Sequence, residues 1–131
     1  MKSYTDLEQG RKLSEILPLE GADMWYQHIG WEHLSDNSEK PLYLPMVIMD
    51  SKSDIDIPCW SLAALLSVIP QEVFDGEYII NITEGCDYKW VLSYDHYENR
   101  KISYYGLSTA ADNLVDACYE MILKLYERKM L

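Results

Sequence analysis

The sequence predicts an α+β fold in which three helices pack on a mostly antiparallel sheet of about five strands. Apolar and polar residues alternate from residue 77 to residue 104, which is typical of strands joined by short turns. An apolar run between Pro58 and Pro70 indicates a helix in the middle of the chain. An apolar stripe with helical spacing follows Asn113 and indicates a C-terminal helix.

The first element is a helix that opens with a capping box. We expect Thr5 to be the N-cap and Glu8 to reach back to it, and we expect Pro18 to end the helix. A strand follows from Met24 to Ile29 and has the pattern to continue past Gly30.

The second strand runs from Leu42 to Met49 and contains Pro45. Proline cannot donate a hydrogen bond to a neighbouring strand, so this strand is expected at a sheet edge or at a bulge. The next helix lies between two prolines, with Pro58 near its first turn and Pro70 past its end. Because this helix is apolar on nearly all sides, we expect it to be the central buried element.

A three-stranded meander and a helix complete the predicted fold. Tyr78–Ile82 and Tyr88–Tyr94 are strands on either side of a hairpin loop at residues 84–87, and Ile102 and Tyr104 continue the pattern. Asn113 is the predicted N-cap of the last helix. The order is α-β-β-α-β-β-β-α. At 131 residues the chain fits one domain, residues 1–131.

Net charge is the most distinctive feature of the composition. The chain has 22 acidic and 11 basic residues, a net charge of −11. Residues 48–87 hold eight of the acids and one base. Such a field repels nucleic-acid phosphates and anionic membranes and attracts a basic protein partner. It also favours solubility, which is the simpler explanation of the same charge.

The chain shows neither a signal peptide nor an apolar run of the roughly 20 residues that a membrane span needs. Its cysteines, Cys59, Cys86 and Cys118, are odd in number and have no CxxC spacing, which favours reduced thiols over disulfides. We therefore expect a cytoplasmic protein that does not associate with membranes.

Three blocks of the sequence belong together: residues 4–9, which read Tyr-Thr-Asp-Leu-Glu-Gln, with residues 16–20 and 22–24; residues 57–66; and residues 112–125. Together these blocks resemble a family of small uncharacterised proteins from gut Bacteroides genomes and from their phages and mobile elements. The chain departs from the family pattern at Leu114, where relatives carry proline. The resemblance implies a bacterial cytoplasmic setting and a mobile-element origin. It implies no activity, ligand or site residue.

No motif predicts catalysis, a metal or a cofactor. His28 and His33 are five residues apart without the HExxH or paired-cysteine spacing that zinc sites use. Cys59 stands beside Trp60 in an apolar segment, and burial of that kind suppresses the thiolate that a nucleophile needs. Ser61 lacks the flanking glycines of a nucleophile elbow. These observations favour a non-enzymatic protein.

The leading hypothesis is an accessory protein that binds another macromolecule, a basic host or phage protein, through an acidic or aromatic surface. The alternative is a small-molecule or peptide-binding domain with a cleft between sheet and helices, where His28, Ser61 or Asn81 supply polar groups. A homodimer through the edge strand at Pro45 is a further possibility. The candidate surface residues are four acids and four aromatics: Asp54, Asp56, Asp75, Glu77, Trp25, Trp31, Tyr97 and Tyr105.

Overall fold

A computed structural model describes residues 2–51, 53–85, 87 and 89–131. The chain forms two compact units, one of Tyr4–Ser61 and one of residues 62–131 together with the N-terminal residues before Tyr4. Each unit has its own antiparallel sheet. In the described residues, no helix has the length and apolar character that crossing a membrane requires.

The fold class and the order of elements are confirmed. In chain order the elements are α1 Leu7–Ser14, β1 Met24–His33, β2 Glu39–Ile48, β3 Ile57–Cys59, α2 Leu62–Val68, β4 Glu72–Val73, β5 Tyr78–Glu84, β6 Trp90–His96, β7 Ser103–Ala111 and α3 Leu114–Glu127. Among the described residues, unit Tyr4–Ser61 contains α1, a 3-10 turn and strands β1 to β3, and the second unit contains α2, α3 and strands β4 to β7. The short strands β3 and β4 are additions to the predicted order.

The first sheet has the order β2-β1-β3, so β2 with Pro45 is an edge strand, as predicted. The β1–β2 register also shifts between the pairs Tyr26–Val47 and His28–Tyr43, and Pro45 lies within that irregular stretch. A proline is tolerated here because the edge and the irregular pairing both remove the demand for its missing N–H.

Helix α1 begins one residue later than predicted, and the proposed Thr5–Glu8 capping box is wrong. Asp6 is the N-cap: its carboxylate accepts the N–H of Gln9 at 2.8 Å, and the Gln9 side chain accepts the N–H of Asp6 at 3.0 Å. Thr5 is fully buried, and its Oγ1 accepts the N–H of Trp60 at 3.1 Å. The Thr5 hydroxyl is therefore committed to a tertiary contact and is not available to cap the helix.

The middle helix is shorter than predicted, because residues 57–59 form strand β3. They pair with β1 from Met24 to Tyr26, and α2 starts only at Leu62. Leu65 is the buried residue of α2, whereas Leu66 is 36% exposed. The expectation that this helix is the central buried element is therefore wrong, because one side of it is exposed.

The second sheet has the order β4-β5-β6-β7, with helix α3 packed against it. Asn113 caps α3 as predicted, accepting the N–H of Asp116 at 2.8 Å. The apolar face of the helix is buried with the sheet residues Leu92, Tyr94 and Leu107. Cys86 and Tyr88, predicted in a hairpin loop and a strand, lie outside the described residues.

Candidate binding surfaces

The eight candidate residues are divided between the two units. Asp75, Glu77, Tyr97 and Tyr105 belong to unit 62–131, and the other four belong to unit Tyr4–Ser61. Two groupings emerge, one in each unit. The first is a cluster of aromatic rings, and the second is an open cleft.

The ring cluster consists of five side chains at one end of the second sheet: Phe74, Tyr78, His96, Tyr97 and Tyr104. The rings of Phe74 and Tyr104 have centroids 4.7 Å apart, and Tyr78 meets Tyr104 edge to face at 5.4 Å. Tyr78 also meets His96 edge to face at 5.4 Å, and His96 stacks on Tyr97 at 5.7 Å. These separations and angles are those of favourable aromatic pairs. Phe74 and Tyr97 remain 45% and 53% exposed, so the cluster presents apolar surface to solvent.

The hairpin turn between β4 and β5 holds Phe74 in place. Phe74, Asp75 and Gly76 have φ values of 54°, 55° and 86°, and the N–H of Glu77 donates to the carbonyl of Phe74 at 3.1 Å. Gly76 and Asp75 suit the left-handed region, which is why Asp-Gly is a common hairpin turn. Phenylalanine does not suit it, because the left-handed conformation costs about 1–2 kcal/mol for such a residue. The turn therefore carries local strain that places an aromatic ring at the surface.

His96 is fixed by the turn that follows β6. Its Nδ1 accepts the N–H groups of Glu98 and Asn99, both at 3.3 Å, so the neutral ring carries its proton on Nε2. Nε2 lies 3.8 Å from the Glu77 carboxylate. The imidazole is therefore held in one orientation between the rings of Tyr78 and Tyr97.

Carboxylates surround the cluster. Asp75, Glu77 and Glu98 are exposed. The Tyr97 hydroxyl donates to Glu98 at 2.8 Å, and this hydrogen bond raises the pKa of Tyr97. Arg100 and Lys101 lie in the β6–β7 turn and are exposed, and no ion pair among the described residues joins either to these acids. The site thus combines exposed rings with carboxylates that a partner's cations can reach.

Tyr105 and Trp31 lie outside the ring cluster. Tyr105 is 93% exposed and is absent from the ring contacts of the described residues. Trp31, 51% exposed, packs edge-on against His28 at 5.0 Å, and His28 packs edge-on against Tyr43 at 5.6 Å. The Nε2 atom of His28 is buried and has no hydrogen-bond partner in the described part of the chain.

An open cleft of about 540 Å³ lies in unit Tyr4–Ser61. Its aromatic lining is Trp25 from β1 and Tyr43 from β2, and Asp54 is an exposed acid on its rim. Aliphatic and hydroxyl side chains complete the wall: Leu19, Ile55, Ile57, Pro58, Ser14, Ser51 and Ser53. The volume is within the roughly 300–1,000 Å³ of typical ligand sites. Of the polar residues proposed for a cleft, His28, Ser61 and Asn81 are not among the lining.

Asp56 is a buried residue in the wall of this cleft, and its carboxylate holds the wall together. It is 4% exposed, and its carboxylate accepts the N–H groups of His28 at 2.8 Å and Ser53 at 3.0 Å. It also accepts the hydroxyl of Ser51 at 3.3 Å. These bonds tie the loop before β3 to strand β1. Asp56 was predicted as a surface acid, but it is buried and its carboxylate is hydrogen-bonded within the loop.

The two described cysteines are buried thiols. Cys59 and Cys118 have no exposed surface, and burial raises the pKa of both, that of Cys118 to about 12. Cys59 donates to the carbonyl of Thr5 at 3.3 Å. In the described residues, no group of three or more histidines, cysteines or acids is placed to hold a metal ion.

Sequence reasoning missed Phe74, Tyr78, His96 and Tyr104 as site residues. The available signal was the Asp75-Gly76 pair directly after the single phenylalanine, which predicts a hairpin turn at that point.

Comparisons with protein-family models, with curated proteins and with solved structures gave no match.

Proposed function

We propose that this protein is a non-enzymatic binding protein that holds a basic, arginine-containing segment of another protein on the ring cluster. The observation that carries the proposal is the strained Phe74, a ring kept at the surface at an energetic cost and bordered by exposed carboxylates. Strained backbone persists where the surrounding structure determines it, and it concentrates at functional sites.

Arginine suits this surface for two reasons. Its guanidinium stacks on aromatic faces, and its N–H groups pair with carboxylates in fixed geometry. Asp75, Glu77 and Glu98 supply the carboxylates beside the rings of Phe74 and Tyr97. A host or phage protein with a basic segment would meet both requirements. The sequence resemblance implies a mobile-element origin, which agrees with such an accessory role. We propose this origin together with the function.

The test is calorimetric binding of a capped peptide of alternating arginine and glycine residues. The control peptide replaces arginine with citrulline, which has the same shape without the charge. We expect the arginine peptide to bind, and the citrulline peptide to bind at least about tenfold more weakly, since each lost exposed ion pair contributes up to about 1 kcal/mol.

Variants then assign the binding to the ring cluster. Asp75→Asn combined with Glu77→Gln should weaken binding of the arginine peptide by roughly three- to tenfold, because two charges at the cluster are lost. The matched control is Glu120→Gln combined with Glu127→Gln, which removes two exposed charges from α3. Equal weakening by the two pairs would show that only net charge matters and would contradict the proposal.

A further inference from the structure

Beyond the ring cluster, we infer that the cleft of unit Tyr4–Ser61 is a binding site for a small organic cation, an ammonium or guanidinium group attached to an apolar body. The inference is independent of the proposed function, since the cleft and the ring cluster share no residue and belong to different units.

The polar groups of the wall are mostly committed to the wall itself. The Tyr43 hydroxyl donates to the carbonyl of Ile55 at 3.2 Å, and the Ser14 hydroxyl donates to that of Arg11 at 2.6 Å. Ser51 donates to the carbonyl of Ser53 at 2.9 Å, and Asp56 holds the loop to β1. These bonds make the cleft a preformed shape, which lowers the entropy cost of binding.

Among the described residues that line the cleft, Asp54 is the charged group that remains for a ligand. It is exposed on the rim, and the described lining contains no lysine or arginine. A cationic ligand would pair with the Asp54 carboxylate. An anionic ligand would instead place a second, unpaired negative charge beside it, which is costly.

The aromatic lining favours the same ligand. Ring faces attract cations, most strongly for tryptophan and tyrosine. The guanidinium carbon of Arg11 already lies 5.5 Å from the Tyr43 centroid, so Trp25 is the lining ring that remains for a ligand cation. Trp25 offers the cleft a larger ring, and Leu19, Ile55 and Ile57 provide contacts for an apolar body.

The experiment is a calorimetric titration with phenethylamine, whose ammonium and phenyl groups match these two features. The neutral analogue 2-phenylethanol and the anion 3-phenylpropionate are the ligand controls. We expect saturable one-to-one binding of the amine, and the alcohol should bind at least about fivefold more weakly. The alcohol lacks the positive charge, so it loses both the ion pair with Asp54 and the cation–π contact. Equal binding of amine and alcohol, or absence of saturable amine binding, would overturn the inference.

Two variants locate the site. Asp54→Asn should reduce the preference for the amine over the alcohol by about threefold or more, and Glu32→Gln, which removes an exposed charge from strand β1 away from the lining, should leave it unchanged. The melting temperature of each variant confirms that it is folded. An unchanged preference in Asp54→Asn would contradict the assignment.

The cation could arrive free or on a protein side chain, and a further arm separates the two sources. A capped pentapeptide of four alanines around one central lysine is titrated beside phenethylamine. Tighter binding of the amine identifies a small molecule as the ligand, and tighter binding of the peptide identifies a lysine side chain. Both results support a cation site, and Asp54→Asn must weaken whichever probe binds.

Discussion

Asp54 and Asp56 are two residues apart in one loop and have opposite surroundings. Asp54 is exposed, whereas Asp56 is 4% exposed and accepts two backbone N–H groups. Asp56→Ala removes the acceptor of two part-buried backbone N–H groups, so we expect it to lower the free energy of unfolding by roughly 1–3 kcal/mol. Asp54→Ala should change it by less than about 0.5 kcal/mol. Urea denaturation measures both, and similar losses in the two variants would contradict the assigned roles.

Cys118 makes the stability of the fold sensitive to alkaline pH. Burial raises the pKa of its thiol from 9.0 to about 12. The unfolded chain therefore releases the thiol proton near pH 9, while the folded chain keeps it, and the free energy of unfolding falls as pH rises from about 9 towards 12. Below pH 9 the Cys118 thiol is protonated in both the folded and the unfolded chain, so its full contribution to the free energy of unfolding is present.

The measurement is urea unfolding of the protein and of Cys118→Ala at pH 8, 9 and 10. Burial also raises the pKa of Tyr26 and Tyr94, so both proteins lose stability in alkali. The protein with Cys118 should lose more, by an extra slope that approaches about 1.4 kcal/mol per pH unit above pH 9. If the free energy of unfolding fell equally with pH in the two proteins, burial would not be keeping the Cys118 thiol protonated in the folded chain.

Residue types predicted part of each surface, but not the contacts. Asp75, Glu77 and Tyr97 were predicted and lie at the ring cluster, and Trp25 and Asp54 were predicted and line the cleft. The β6–β7 register shifts between Ser93 and Asp95, and Tyr104 lies in the part of β7 that this shift takes out of regular pairing. A bulge of this kind changes which side chains meet, and the alternation of residue types does not reveal it.

At the scale of elements, the contact between α1 and β3 depends on a glycine. A Cβ atom added to Gly10 would lie 2.3 Å from the backbone carbonyl oxygen of Pro58, and Gly10 is buried. Helix propensity alone predicts that Gly10→Ala stabilises α1 by up to about 1 kcal/mol. The steric contact predicts the opposite, and we expect a net loss of about 1–3 kcal/mol.

Gly21→Ala is the matched control, because its added Cβ would meet only the Trp60 indole nitrogen, at an ordinary 3.5 Å. Thermal unfolding should show a clear drop in melting temperature for Gly10→Ala and a small change for Gly21→Ala. A stabilised Gly10→Ala variant would mean that α1 and β3 are not in close contact.

The elements that local pattern specifies were predicted best. Helix α3 has its cap at Asn113 and its stripe of apolar residues in one continuous segment. Strand β3 was missed because its identity depends on pairing with β1, and α1 lost its predicted cap because Thr5 bonds to Trp60. In both cases a distant partner decided between local alternatives.

At the scale of the molecule, both units are acidic. Unit Tyr4–Ser61 has eleven acids and four bases, and the rest of the chain has eleven acids and seven bases. Association with a basic partner should therefore weaken with salt, since exposed charges are screened over about 8 Å at 0.15 M ionic strength and over about 3 Å at 1 M. Affinity for the arginine peptide that is independent of salt would show that charge does not drive the association.

The most direct test of the account replaces Phe74 with asparagine and follows the arginine peptide by backbone amide shifts. Asparagine tolerates the left-handed conformation, so Phe74→Asn relieves strain and should leave the free energy of unfolding within about 1 kcal/mol of the original. In the original protein, we expect the peptide to shift amides in residues 72–78 and 96–104, and in Phe74→Asn these shifts should largely disappear. Absence of shifts in residues 72–78 and 96–104, or unchanged shifts there in a folded Phe74→Asn variant, would contradict the ring cluster as the binding surface.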